Sequence, residues 1–380
     1  MESSNSSKAS FTWATGLSAA FAWFGYHCGS GFATGRQIVQ YTTRHGWAGF
    51  WIPIVIWVIL LVYFYFAIEF ARLTSCKNYK DFVMGFYSPI GRYILVIWDA
   101  VVLMASFVGL AGILAAAGEL INDALGIGYW PGVVIFAVVT LVLLARGYNI
   151  IAKVASAVTI PLIVCIAIVI IAGIAHNADN LKVVMSSTAL VEGDSYKSMF
   201  KDVLNYCGTQ SGYVAAFIGI ASAFNYSKDT KIAVGVGAVI NIIMHFGACL
   251  LLYAYYPDIN GVPIAMLGVV KQTPWGFLVV VYQLMLFLAL LSTSVTMVFG
   301  SVSRYSVYGK KLIADDNKRK DAWIAFIVFG SIAISGFGLT AIVNQGYKFI
   351  ASFRIPIILI PVFFLGAWRI SQAKKKVSEN

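Results

Sequence analysis

Charge is scarce in this chain. Only 11% of its 380 residues are Asp, Glu, Lys or Arg, against 60% that are hydrophobic, where a soluble domain carries about 25% charged residues. So little polar surface cannot cover a water-soluble globule, which excludes soluble enzymes and nucleic-acid-binding modules. Acids are scarcer still, 16 against 27 Lys and Arg, for a net charge of +11. In so apolar a chain the basic excess reads as membrane topology rather than affinity for nucleic acid. Five cysteines are scattered without a CxxC pair, and His27, His45, His176 and His245 are equally dispersed. Neither a disulfide framework nor a zinc site is suggested. HExxH, GxSxG and Walker loops are missing, so no signature of a membrane enzyme is present. The polar start MESSNSSKAS lacks a small-residue cleavage site after its apolar run, and a removed signal peptide is not expected.

What the chain does have is long apolar runs. A spanning helix needs about 20 mostly apolar residues. Ten segments qualify: roughly 11–42, 47–71, 91–118, 129–146, 154–175, 200–224, 232–256, 275–301, 322–342 and 347–368. With the N-terminus inside, the inner loops collect Arg72, Lys77, Lys80 and Arg92, then Arg146 and Lys153, Lys228 and Lys231, the cluster Arg304–Lys320, and Arg369 to Lys376. The outer loops hold only Arg44, Lys182, Lys197, Lys201, Lys271 and Lys348. That asymmetry predicts an even number of spans with both termini cytoplasmic. The expected organisation is a cytoplasmic tail at 1–10, a first five-helix repeat at 11–175, an extracellular loop at 176–199, a second repeat at 200–368 and a basic cytoplasmic tail at 369–380. The predicted class is an all-α membrane protein of ten transmembrane helices in a 5+5 inverted repeat. A cell membrane, the inner membrane of a bacterium, is the expected location.

Two spans are interrupted. Span 1 contains His27-Cys-Gly-Ser-Gly-Phe-Ala-Thr-Gly35, and span 6 contains Tyr206-Cys-Gly-Thr-Gln-Ser-Gly-Tyr213. Glycine weakens a helix by about 1 kcal/mol relative to alanine. Unwound backbone at membrane depth is tolerated only where it lines a cavity or is buried in protein. Small residues also serve close helix packing. Two interruptions at corresponding places of two halves point instead to a transporter binding site. Helices 1 and 6 are therefore expected to be discontinuous. Free N–H groups at one half-helix suit a carboxylate, and free carbonyls at the other suit a cation.

These residues resemble the LeuT-type transporters of the amino acid–polyamine–organocation superfamily. GSGFATG also resembles the GxGFASG segment of the YkvI-like bacterial membrane proteins, the smaller group to which the chain is most similar. The motif-level resemblance is confined to spans 1, 2, 6, 7 and 8. It implies that solute is held by Gly29, Ser30, Gly31, Phe32 and Ala33 of span 1, by Gly208, Thr209, Gln210, Ser211 and Val214 of span 6, and by Gly112 of span 3. It places a supporting glutamate at Glu69, with Ser211 as its partner. A Na+ ion would sit between spans 1 and 8 on the carbonyls of His27, Ser30 and Ala289 and the hydroxyls of Ser292 and Thr293. Hydroxyls there also commonly bond back to their own helix. A second Na+ site would fall on Gly29, Thr34, Thr209 and Asn241, although Thr34 stands where the family has asparagine.

The departures bear on the solute. Span 3 lacks the tyrosine with which amino acid carriers hold a carboxylate, and Gly208 and Val214 replace aromatics. The family's outer Arg–Asp gate is replaced by Arg36 and Arg354, without an acid in span 10. Both cations are expected to face an outer vestibule and draw in an anion, or else to snorkel or to pair with Glu119 or Glu192. Asp99 is expected to pair with a cytoplasmic-side Lys or Arg.

The reading is Na+-coupled symport of a small amino-acid-like or carboxylate-bearing organic solute by alternating access. Na+ serves as coupling ion, with no other cofactor, and the expected partners are solute, Na+ and membrane lipid. The alternatives are a proton-coupled permease of the same fold, using Glu69, Asp99 or His27, and further off an ion channel or membrane receptor.

Overall fold

The computed structural model describes residues 13–145, 148–187 and 190–379; for 148–159, 377 and 379 only the backbone is described. The predicted N-terminal tail, Arg146 and the side chain of Lys153 lie outside these bounds. The described residues form helices joined by short turns, with no strand among them.

Span 1 is three pieces: α1 (Trp13–His27), the single turn α2 (Ser30–Ala33) and α3 (Arg36–Tyr41). A 3-10 stretch, Thr43–Trp51, leads into α4 (Ile52–Leu73), which takes Pro53 in its first turn, where a missing N–H costs nothing. The short α5 (Tyr79–Phe86) is capped by Asn78 on the Asp81 N–H. Then follow α6 (Gly91–Leu125), closed by the left-handed Gly126, α7 (Tyr129–Ala145), α8 (Tyr148–His176) and α9 (Ala178–Ser186). Span 6 is α10 (Tyr196–Ser211) and α11 (Val214–Ala221). The second half continues with α12 (Ser227–Ala254), α13 (Ala265–Gln272), α14 (Gly276–Tyr305) and α15 (Asp316–Ser335). Span 10 is α16 (Gly338–Ala341), α17 (Tyr347–Arg354) and α18 (Ile360–Glu379), separated by widely wound π turns at Ile342–Gly346 and Ile355–Leu359.

Among the described residues, five helical stretches are long and apolar enough to cross a membrane: 43–73, 91–125, 227–254, 276–305 and 338–376. A sixth counts if Ile160–His176 is joined to Ala178–Ser186 across a bend of 78°. The remaining predicted spans fall short for visible reasons. Spans 1 and 6 are cut into pieces, α7 has 17 residues, and α15 opens on a charged turn.

The bundle's interior is aromatic. Trp23 of α1 lies 4.5 Å from Phe64 and 5.8 Å from both Trp57 and Phe217, joining spans 1, 2 and 6. Its outer flank is apolar too: Phe364 is 74% exposed, Ile171 70% and Phe329 64%. Such side chains facing outward on several long helices need hydrocarbon rather than water around them. The chain is a multi-pass membrane protein.

Candidate functional site

The break in span 1 begins where Gly29 donates to His27 O at 2.8 Å, leaving the helical ladder. The second break is set by Gly35 at φ +78°, a conformation that carries little strain only for glycine. A Cβ there would also meet Met266 Cγ at 2.8 Å. α13 approaches at this point, and Met266 N–H donates to Thr34 O at 3.1 Å. The break in span 6 is milder: Gly212 (φ −65°, ψ −22°) and Tyr213 (φ −69°, ψ −11°) stay in the right-handed region. Even so, the regular helix stops at Ser211 and resumes at Val214.

A cavity of about 60 Å³ lies between the two breaks. Span 1 supplies His27, Gly29, Ser30, Gly31 and Gln37, and span 6 supplies Thr209 and Tyr213. Span 3 contributes Ala105, Val108, Gly109 and Ile113, and span 8 Thr293 and Met297. Span 10 completes the wall with Tyr347, Ile350 and Arg354. Span 3 is thus wholly apolar in the lining, and polar groups come from spans 1, 6, 8 and 10. Ser30 Oγ and the Tyr347 hydroxyl are 2.9 Å apart, tying span 1 to span 10.

The arginine in this wall is held by span 6. Arg354 Nη1 donates to Thr209 O at 2.6 Å, and a Cβ on Gly212 would stand 2.1 Å from its Cζ. Only a glycine at 212 lets the guanidinium lie there. The next carbonyl made free by the break, Ser211 O, accepts from the Tyr63 hydroxyl at 2.9 Å.

Behind the cavity His27 joins three helices. Asn241 Nδ2 donates to Gly237 O at 2.8 Å, which turns its Oδ1 toward His27 Nδ1 at 2.7 Å. Nδ1 is therefore the donor, and Nε2 meets the Tyr206 hydroxyl at 2.6 Å. Beside it His245 Nδ1 accepts from Trp57 Nε1 at 3.1 Å.

Of the residues predicted for solute, Gly29, Ser30, Gly31 and Thr209 line the cavity. Gly112 adjoins it, since a Cβ there would lie 2.8 Å from the Tyr347 hydroxyl and 3.4 Å from Ser30 Oγ. The others lie outside the lining. Phe32 packs on His27 at 4.3 Å, and Ala33 O accepts from the Tyr282 hydroxyl. A Cβ on Gly208 would meet Ile355 and Ala351. Gln210, Ser211 and Val214 are buried in the bundle.

Three expectations are corrected. Glu69 does not reach Ser211: its two oxygens accept from Arg72 at 3.0 and 2.7 Å. Tyr63 takes the predicted role, because six residues of helix separate the two positions by about 9 Å. The second Na+ set does not converge. Thr34 Oγ1 donates to Ser30 O at 2.5 Å and Thr209 Oγ1 to Asn205 O at 2.9 Å, while Asn241 faces His27. Arg36 and Arg354 do not form one gate. Arg36 Nη1 donates to Asn260 O at 2.6 Å in the outer loop and does not line the cavity, whereas Arg354 does.

In the first Na+ set, Thr293 lines the cavity beside Gly29, where a Cβ would stand 3.8 Å from Thr293 Cγ2. Thr293 Oγ1 donates to Ala289 O at 2.8 Å. Ser292 is half-buried and does not line the cavity. Asp99 pairs with Arg304, Nε to Oδ1 being 3.0 Å, and also accepts from Tyr79.

Sequence reasoning missed the aromatic hydroxyls Tyr63, Tyr213 and Tyr347, which no motif marks. It also missed a cluster at the predicted outer end. There the buried Asp202 accepts from Arg44 Nε at 2.9 Å and from Lys348 Nζ at 3.1 Å, with His45 Nε2 3.4 Å away. His45 Nδ1 is paired with Asp194 in the outer loop. Burial works to raise the Asp194 carboxyl, but hydrogen bonds from His45 and the Ser195 N–H prevail and hold it below 3.8.

No protein-family model matches the chain. The uncharacterized membrane protein YkvI of Bacillus subtilis (strain 168) is 29% identical over 154 residues. That stretch is 40% of this chain and 43% of that protein, so less than half of the relative's length is matched. Among solved structures, a Na+-coupled sialic acid symporter in a substrate-bound outward-open state aligns at TM-score 0.63 and 12% identity, over 92% of this chain and 79% of that one. MhsT in complex with L-phenylalanine aligns at 0.58 and 12% identity, over 94% and 97%. A manganese transporter of Eremococcus coleocola aligns at 0.57 and 12% identity, over 92% and 78%. At such identity the likeness is one of fold. The chain therefore has the LeuT-type transporter fold, together with a weak sequence similarity to YkvI.

Proposed function

We propose that the chain is a secondary transporter that moves a small organic solute by alternating access, in a bacterial inner membrane. The observation that carries this reading is the cavity enclosed by the broken span 1, the interrupted span 6 and spans 3, 8 and 10. It is small and mostly apolar with a few polar groups, and it sits where unwound backbone is tolerated. Among the described residues no three His, Cys, Asp or Glu side chains come together. A divalent metal as cargo, which such ligands would hold, is less well served than an organic solute.

Na+ is the proposed coupling ion, on the carbonyls of His27, Ser30 and Ala289 and the hydroxyls of Ser292 and Thr293. Thr293 beside Gly29 supports this, and a carbonyl keeps a second lone pair while it accepts one hydrogen bond. The hydroxyls of Thr293 and Ser292 would have to turn toward the ion. The second reading is proton coupling through His27. It is favoured by the buried imidazole behind the cavity, bonded to the asparagine that the second Na+ set would have used.

Solute counterflow in proteoliposomes tests the transporter. Exchange that is driven by a Na+ gradient and lost in choline supports Na+ coupling. Exchange driven by a pH step without Na+ supports the proton. Steady conductance without saturable exchange rejects the carrier altogether.

A further inference from the structure

Many of the carbonyls at the two breaks already accept a hydrogen bond. In span 6, Gly208 O accepts from Ser211 Oγ, Thr209 O from Arg354, Gln210 O from the Tyr213 N–H and Ser211 O from Tyr63. In span 1, His27 O accepts from Gly29 and Gly29 O from Ala33. Ser30 O accepts from Thr34, Ala33 O from Tyr282, and Thr34 O from Met266. An ammonium group brings three donors and no acceptor, and the cavity lining offers it no carboxylate to pair with.

The donors are in the opposite condition. Arginine stays protonated in proteins, and Arg354 has no carboxylate within 4.0 Å among the described residues. Its one hydrogen bond there uses Nη1, and its buried Nε has no partner. Tyr213 and Tyr347 line the cavity with it, and neither is a carboxylate. No Asp or Glu lines the cavity. An unpaired charge at membrane depth is costly and marks a functional group.

Resting on the transporter reading above, we infer that the solute is a small carboxylate without an ammonium group, received by the donors that remain on the Arg354 guanidinium. The apolar lining, Val108 and Ile113 of span 3, Met297 of span 8 and Ile350 of span 10, suits a short apolar body. The span-6 break thus presents a cation on its carbonyl, so it recognises negative charge through a side chain.

The test is thermal unfolding of the purified full chain with propanoate, lactate, alanine and n-propylamine at constant chloride. Propanoate or lactate should raise Tm, with alanine weaker and n-propylamine inert. Arg354→Gln should weaken carboxylate binding by about 30-fold or more, as truncating one side of a buried charge pair does. Arg354→Lys should retain part of it. Both variants are first checked for monodispersity and ligand-free Tm, and intrinsic tyrosine fluorescence titration of Arg354→Lys serves if Arg354→Gln does not fold. Stabilisation by n-propylamine, a stronger effect of alanine than of propanoate, no effect of either carboxylate, or full carboxylate binding in the arginine variants overturns the inference. Counterflow of labelled propanoate separates the two proposals. Binding without exchange leaves the carboxylate site standing and rejects the transporter. Amine exchange unaffected by Arg354→Gln does the reverse.

Discussion

The Tyr63 hydroxyl of span 2 donates to Ser211 O, the last carbonyl of the regular helix in span 6, at 2.9 Å. Both groups are buried. Removing the donor leaves an acceptor without solvent, which costs about 1–3 kcal/mol. Tyr63→Phe should lower Tm accordingly and raise hydrogen exchange at Gly212–Val214. Glu69→Gln, which disturbs the Arg72 pair, should leave exchange at that segment unchanged; equal effects of the two would count against the assignment.

Gly212 and Arg354 occupy one volume. Gly212→Ala puts a Cβ 2.1 Å from Arg354 Cζ, an overpacking that costs about 1–3 kcal/mol. Because the clash is with that side chain, combining Gly212→Ala with Arg354→Gln should give a penalty smaller than the sum of the two. Strict additivity in urea or thermal unfolding would contradict the contact.

For sodium, the discriminating pair lies on one helix. Thr293→Ala should reduce Na+-dependent stabilisation, because Thr293 faces the break in span 1. Ser301→Ala, whose hydroxyl bonds Met297 O and Ser106, should change Tm without changing its Na+ dependence. Melting curves in Na+ and in choline decide between them.

The outer cluster predicts a pH response. Asp194 is held below its ordinary value, so the stability it contributes is present above about pH 4 and lost as pH falls below that. Hydrogen exchange at the outer ends of α10 and α17 should rise in acid. Asp194→Asn should reduce that acid sensitivity at α10, and Lys348→Met should loosen α17 at neutral pH by freeing span 10 from Asp202.

His27 separates the two coupling modes. His27→Gln keeps a donor for Asn241 but cannot take up a proton. If Na+ drives uptake, the variant should retain its Na+ dependence with a modest loss of stability. If the proton drives it, pH-driven uptake should disappear while binding persists.

The sequence made the span-1 break legible because Gly29, Gly31 and Gly35 interrupt an apolar run, and only φ +78° at Gly35 with the close approach of α13 explains the third of them. It marked span 6 by the same signal, yet composition does not distinguish full unwinding from the two loosened residues found there. Ser30, Thr209 and Thr293 were readable as hydroxyls at the right depth. Their bonding was not, because each can turn inward to the cavity or back to its own carbonyls. Glu69 went to Arg72 since a carboxylate three residues from an arginine on one helix has a partner at hand. Arg354 was visible as a charge in an apolar span, but its depth and its perch on Thr209 depend on the packing of span 10 against span 6.

Span 10 owes that packing to its irregular winding. Tyr347 and Arg354 stand at the two ends of a short α-helical block, with a π turn before it and another after it. Deleting one residue from Ile342–Gly346 would rotate the block by roughly 100° and swing the tyrosine and the arginine off the cavity together, although neither had been altered. The reach of both groups into the cavity therefore hangs on the phase of one helix, set by five residues that do not line it.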